Sequence, residues 1–294
     1  MANQFKIDAL RFGMSFGKKI WKTHPDMEMI SLSNGKLRVL DTKAGKTSLV
    51  IIPDGPNIIE HHFDIIKQLR KQYRVIVFDL YGFGFSIHNG NYDYSFAKTN
   101  LLINELLDLL HIQRTNLVLP CANGFYGIAY AHAHTEKVNH LLLLQTPSLD
   151  EMGKWSNRIV PSYLKKPFLS QMLMPFMEKK FANKWYDYAL PKGTDRKPYQ
   201  DIAVEGIKNG GNFCLCSLTQ GLAMQYGTSW ELDSAMPVTL IFGDKDFTHK
   251  TTDFESILSY HKGIDIIRFE GCGHFPDLER TPQFLQIVKD KIKS

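Results

Sequence analysis

Three residues able to do covalent and proton-transfer chemistry stand far apart in the chain but in similar local settings: Cys121, Asp246 and His274. Cys121 follows the apolar run "NLVLP" and precedes the helical run "GFYGIAYAHAH". Asp246 closes "IFGDKD", and His274 follows "DIIRFEG" within Gly271-Cys272-Gly273-His274. A deprotonated thiol attacks carbonyl carbon, an imidazole takes up a proton near neutral pH, and a carboxylate fixes an imidazole tautomer. Each residue type also has an ordinary structural use: a cysteine at a strand end packs as a small hydrophobe, an aspartate shapes a turn, and a histidine beside Phe275-Pro276 sits in a loop.

The elements that must position them are legible as an alternation. From Lys46 onward, short apolar runs ("TSLVII", "RVIVFDL", "NLVLP", "VNHLLLLQ") alternate with longer segments of helical period ("IIEHHFDIIKQLRKQY", "SFAKTNLLINELLDLL", "GFYGIAYAHAH"). That order predicts an α/β fold, a mostly parallel sheet flanked by helices. Ahead of it, "MEMISLSNGKLRVLD" predicts a hairpin turning at Asn34-Gly35. Clefts in open sheets form beyond the carboxyl ends of the strands, which is where all three residues fall. After Pro147 the alternation stops for about eighty residues and then resumes with "PVTLIFGDKD". The expected organisation is an N-terminal segment 1–26, a core domain 27–147 and 236–294, and an inserted helical cap 148–235.

The cap segment is broken by Pro161, Pro167, Pro175, Pro191 and Pro198 and by Gly210-Gly211. Its large side chains, Trp155, Phe168, Met172, Met174, Phe176, Met177, Phe181, Trp185 and Tyr186, are expected to build the cap's own core, with some facing down to line an apolar pocket. Of these Trp155 and Phe181 are expected against substrate, together with Phe275 beside the histidine. The chain has 294 residues and a formal charge of +5, with lysines and arginines scattered among acids, a pattern that does not point to nucleic acid. No apolar run approaches the roughly 20 residues of a membrane-spanning helix, and the N-terminus lacks a secretory pattern, so a cytoplasmic protein is expected. Phe5, Leu10, Phe12, Phe16 and Trp21, interleaved with lysines, read as an amphipathic helix that packs on its own domain or touches a membrane surface or partner. Cys121, Cys214, Cys216 and Cys272 show no zinc spacing, so reduced thiols and no metal or other cofactor are expected.

Taken in order, "RVIVFDLYGFGFS", the turn at Cys121, "IFGDKD" and "FEGCGHFPDLE" resemble the α/β-hydrolase superfamily over residues 27–292. The resemblance implies a nucleophile at Cys121, an acid at Asp246 and a histidine at His274, in the family's chain order. His274 would take the thiol proton while Asp246 holds the imidazole. It also implies an oxyanion hole built from the Ala122 N–H and from a donor in Pro53-Asp54-Gly55-Pro56. Aligned on the second proline, that donor is Gly55. Shifted by one it is Pro56, which has no N–H.

The chain departs from the family pattern where Leu119 and Asn123 replace the two glycines around the nucleophile, leaving Gly124 and Gly127 to ease the packing. A true elbow requires a positive φ at Cys121, a sulfur exposed to the pocket near the His274 ring, and small neighbours to accommodate Leu119 and Asn123; there the Asn123 amide can turn toward the loop at Asp54. The leading expectation is an acyl hydrolase or acyltransferase acting on a hydrophobic ester, thioester or lactone, with a carrier- or CoA-linked acyl substrate within its range. The alternatives are a catalytically weak member that binds a small apolar ligand, and a lyase or cofactor-free oxygenase using the histidine.

Overall fold

The computed structural model describes residues 3–15 and 23–293. Its centre is a sheet of eight principal strands: β1 Met27–Leu32, β2 Gly35–Asp41, β3 Ser48–Ile51, β4 Arg74–Phe78, β5 Thr115–Pro120, β6 Val138–Leu144, β7 Val238–Gly243 and β8 Asp265–Phe269. The spatial order is β1-β2-β4-β3-β5-β6-β7-β8. The strands β4, β3, β5, β6, β7 and β8 run parallel, whereas β1 and β2 form the expected hairpin and β2 joins β4 antiparallel. The fold is therefore the mostly parallel α/β architecture that the alternation predicts.

The apolar runs become strands because both faces of the sheet are buried, and alternate side chains feed two separate cores. Val50, Ile76, Leu117, Leu119, Leu141 and Leu143 enter one. Leu49, Ile51, Val75, Val118, Leu142 and Leu144 enter the other. Helices α2 (Phe63–Leu69), α3 (Phe96–Leu109), α4 (Cys121–Ala133), the single turn α9 (Pro276–Glu279) and α10 (Thr281–Lys291) belong to the layers around the sheet. Ser95 caps α3 by accepting from the Lys98 N–H, satisfying one of the donors left open at a helix start.

Between β6 and β7 the chain forms α5 (Leu149–Ile159), α6 (Leu169–Ala189), α7 (Lys197–Lys208) and α8 (Leu215–Ala223). A two-residue ladder, Phe83↔Phe213 and Gly84↔Asn212, ties this segment to the loop after β4. At the N-terminus, α1 (Phe5–Ser15) packs on the molecule: Phe5 and Phe12 are buried, Asp8 accepts from Ser217 at 2.5 Å, and Arg11 pairs with Glu178 on α6 at 2.7 Å. Of the residues expected in that amphipathic helix, Leu10 is exposed, and Phe16 and Trp21 lie outside the described residues.

Candidate active site

Strand β5 ends at Pro120 and α4 begins at Cys121, with no residue between them. So abrupt a change of direction puts Cys121 at φ +48°, in the left-handed region that a side chain with a Cβ seldom occupies. The neighbours show how the turn is accommodated without the family's glycines. Leu119 lies where a Cβ on Gly127 would come within 2.4 Å of its Cδ1, so the bare Gly127 makes room for it. Asn123 donates from Nδ2 to the Pro53 carbonyl at 2.9 Å, lashing the turn to the loop that carries Asp54 and Gly55. The Thr146 hydroxyl donates to the Cys121 carbonyl at 3.1 Å, and a Cβ on Gly124 would strike it at 2.2 Å.

His274 is fully buried. Its backbone N–H donates to Ala189 at the end of α6, and the N–H groups on either side of it, from Gly273 and Phe275, both donate to the Glu279 carboxylate. The ring lies between two acids: Nδ1 is 2.5 Å from Asp246 Oδ2 and Nε2 is 2.9 Å from Asp54 Oδ2. Asp246 is held in turn by Gln145 Nε2 at 2.8 Å on the same oxygen and by the Thr248 N–H and hydroxyl, both at 2.8 Å, on the other. Gln145 also accepts the Gly243 N–H at 2.7 Å and adopts φ +51°, one residue past β6.

The Cys121 sulfur, a His274 nitrogen and a nitrogen of His249 lie within 4.8 Å of one another. His249 stacks on Trp155, with ring centroids 5.1 Å apart, and its Nδ1 pairs with the Thr252 hydroxyl while its buried Nε2 has no hydrogen-bond partner among the described residues. These three side chains are a geometric candidate for a metal site. Both nitrogens of His274 already face carboxylates, however, so the ring has no free lone pair to offer a cation.

The protonation states follow from burial and charge. Burial alone would push His274 down, but the charges of Asp246 and Cys121 and the hydrogen bonds to Asp246 and Asp54 hold it well above an ordinary histidine. Burial would raise Asp246, yet the His274 charge and hydrogen bond keep it below the usual carboxylate range. Asp54 is pushed up by burial, against the pull of His274. Burial and then the Asp54 charge push the Cys121 thiol up to about 11, against the opposing influence of His274 and of the Ala122 N–H. His249 is driven down to about 3 by burial and is neutral. At neutral pH the resting arrangement is thus a thiol beside a protonated imidazole.

Beneath the helices that follow β6 lies a cavity of about 320 Å³ whose wall includes Asp54, Gly55, Cys121, Ala122, Trp155 and Phe181. The two expected donor positions, Ala122 and Gly55, therefore border the same space as the sulfur. Phe275 is not part of that wall: it is buried behind the histidine, its ring edge-on to His274 at 5.1 Å and also against Tyr186. Sequence reasoning also misses the acidic partner Asp54, the second histidine His249 and the Asp246 clamp Gln145. Asp54 and His249 lie in stretches that matter for other reasons, the donor loop and the turn after Asp246, so the signal for them is proximity to those turns.

Fold, strand-end placement and sequence profile agree: the chain belongs to the alpha/beta hydrolase fold family, whose profile matches residues 47–280. Among curated relatives it is 24% identical to Lipase 3 of Moraxella sp. over 269 residues, covering 88% of this chain and 82% of that protein. It is 20% identical to a proline iminopeptidase of Lactobacillus helveticus, covering 86% and 92%. A third match, to abhydrolase domain-containing protein abhd-5.2 of Caenorhabditis elegans, has 22% identity over 78% of this chain, but this chain spans only 55% of that protein's length. Similar solved structures include a candidate acyltransferase from Salmonella enterica (TM-score 0.75, 16% identity, 90% of this chain and 95% of that one). Epoxide Hydrolase A from Mycobacterium thermoresistibile is similar too (TM-score 0.75, 13% identity, 92% and 99%). At these identities the solved structures are likenesses of fold.

Proposed function

We propose that this protein is an acyl hydrolase or acyltransferase that uses Cys121 as nucleophile, His274 as proton carrier and Asp246 as its anchor, on a hydrophobic ester, thioester or lactone. The observation that carries the reading is the left-handed Cys121 at the start of α4, its sulfur beside a histidine already fixed by a carboxylate. Residues 148–235 act as a cap over a core of 27–147 and 236–294. The apolar cavity with Trp155 and Phe181 on its wall suits a small acyl chain, free or carried on a thiol carrier or CoA.

In this mechanism Asp54 is a proton holder. The resting proton on Nε2 lies between Asp54 and His274, and burial favours the neutral form of the acid. When an acyl chain fills the cavity and expels water, Asp54 keeps that proton and turns from the ring. The Nε2 lone pair then receives the thiol proton, Sγ attacks the carbonyl carbon, and Asp246 stabilises the imidazolium. The developing oxyanion accepts from the Ala122 N–H at the start of α4 and from the Gly55 N–H. Nε2–H returns its proton to the departing alcohol or thiol, leaving a thioester on Cys121 that water or a second nucleophile resolves. A thioester substrate is close in energy to this intermediate, which favours acyl transfer over amide cleavage.

The neutral resting thiol and the Asp54–His274 contact support a second reading, in which the histidine and Asp54 do proton-transfer chemistry of the lyase or oxygenase kind and Cys121 only packs. Incubation with activated esters and acyl thioesters, followed by mass spectrometry of the Cys121 peptide, separates the two. An acyl adduct on Cys121 is expected, with turnover lost in Cys121→Ala and a small residue kept in Cys121→Ser. Full turnover in Cys121→Ala moves the chemistry to the histidine.

A further inference from the structure

Helix α6 buries a mixed face and leaves an apolar one uncovered. Ser170, Met174, Glu178, Ala182 and Tyr186, four residues apart, are buried against the rest of the molecule. On the opposite side Leu169, Met172, Leu173 and Phe176, at spacings of three and four, point to solvent with exposures of 48%, 63%, 42% and 88%. Phe168, just ahead of the helix, is 40% exposed. The sequence pattern predicts Phe168, Met172 and Phe176 in an inner core or on the pocket wall. The structure puts them outside because the buried face of α6 is already filled by the other set. An apolar helix face left in water is not the arrangement of an ordinary surface, and a contiguous patch of this kind marks something that covers it.

The charges around the patch identify the covering. Residues 161–186 contain five lysines, Lys165, Lys166, Lys179, Lys180 and Lys184, and a single acid. That acid, Glu178, is buried and paired with Arg11 at 2.7 Å. The stretch therefore presents cations before and after the apolar stripe and no exposed carboxylate; the exposed acid of α6, Asp187, lies a turn beyond Lys184 and is paired with Arg196 at 3.6 Å. Apolar side chains at the centre of a surface helix with lysines around them suit the boundary between headgroups and acyl chains of a bilayer carrying anionic lipid. A protein partner matching five lysines would have to be strongly acidic and apolar at once, whereas an anionic lipid surface supplies both properties together.

We propose that α6 docks this protein on anionic lipid membranes, with Leu169, Met172, Leu173 and Phe176 inserted at the interface and the flanking lysines against lipid headgroups. The same stretch also reaches the cavity: Tyr163, Leu164, Phe181, Lys184 and Trp185 belong to its wall. Docking thus brings the cavity beside the bilayer, where apolar molecules partition. The proposal concerns binding alone and stands whether or not Cys121 is a nucleophile.

The test is co-sedimentation of the full chain with vesicles of phosphatidylcholine alone and with about a third phosphatidylserine, across a salt series. The expected result is binding to the anionic vesicles that weakens as salt rises, with at least tenfold less on phosphatidylcholine alone. Phe176→Asp combined with Met172→Asp should lower binding tenfold or more, and Lys179→Glu with Lys180→Glu should weaken it and flatten its salt dependence. All four side chains are exposed, so circular dichroism and melting temperature should stay as in the parent. Absence of binding to either vesicle, or binding unchanged in the Phe176/Met172 variant, overturns the proposal. So does a concentration-dependent dimer that this variant abolishes without any vesicle binding, since it assigns the face to a second copy of the chain.

Discussion

Asp54 Oδ2 and His274 Nε2 meet at 2.9 Å, on the side of the imidazole that must face a thiol if the ring is to accept its proton. The carboxylate both occupies that nitrogen and opposes ionisation of Cys121 by its charge. Replacing it with Asn removes the charge. The Cys121 thiol, pushed up to about 11 in the parent, should then ionise at lower pH, and iodoacetamide should alkylate it several-fold faster near pH 8. His274 loses one of the interactions that raise it, so its neutral form becomes available at lower pH and the acidic limb of kcat/KM should move down. Alkylation and rate profiles identical to the parent's would remove Asp54 from the proton account.

The fit of Leu119 against Gly127 can be tested as a pair. A methyl at Gly127 lands 2.4 Å from Leu119 Cδ1 and 2.9 Å from Leu141 Cδ1, so Gly127→Ala should cost about 1–3 kcal/mol by overpacking. Leu119→Ala alone should cost about 2–5 kcal/mol through the cavity it leaves. In the double variant the new methyl enters the emptied space, and urea unfolding should show less destabilisation than the sum by about 1–2 kcal/mol. Strict additivity would mean that Gly127 does not make room for Leu119.

Trp155 and Phe181 border the cavity without sharing the hydrogen bonds that hold His274. Truncating either to Ala should reduce kcat/KM for long acyl chains, at about 25 cal/mol for each Å² of apolar surface that the bound chain no longer buries, while leaving the shortest ester nearly unchanged. Trp155→Ala carries a second consequence, because its ring stacks on His249. Equal reductions for short and long chains in Phe181→Ala would place chain recognition elsewhere.

The parallel sheet and the meeting of Cys121, Asp246 and His274 were legible because strand ends converge in an open α/β sheet wherever they lie in the chain. The substitutions at Leu119 and Asn123 were equally legible; Leu119 is accommodated by the bare Gly127, and Asn123 by its hydrogen bond to the Pro53 carbonyl. Asp54 was hidden for a different reason: its loop draws attention as an expected source of a backbone donor, and nothing local says that its side chain reaches a histidine 220 positions later. His249 is a similar case, three residues past Asp246 yet brought in by a turn whose direction no periodicity records. The orientation of α6 was unreadable because its buried face carries Ser170, Gln171 and Glu178 while Leu169, Met172, Leu173 and Phe176 face out, so an apolar pattern points the wrong way; packing against α1, α7 and α8 decides.

Asn123, by gripping the Pro53 carbonyl, makes the start of α4 and the loop after β3 a single mechanical unit. Here a displacement of Asp54 away from His274 pulls, through Pro53 and Asn123, on the first turn of the helix that begins with Cys121. In the proposed mechanism, filling the cavity would therefore shift the aim of the Cys121 sulfur as well as the proton on His274.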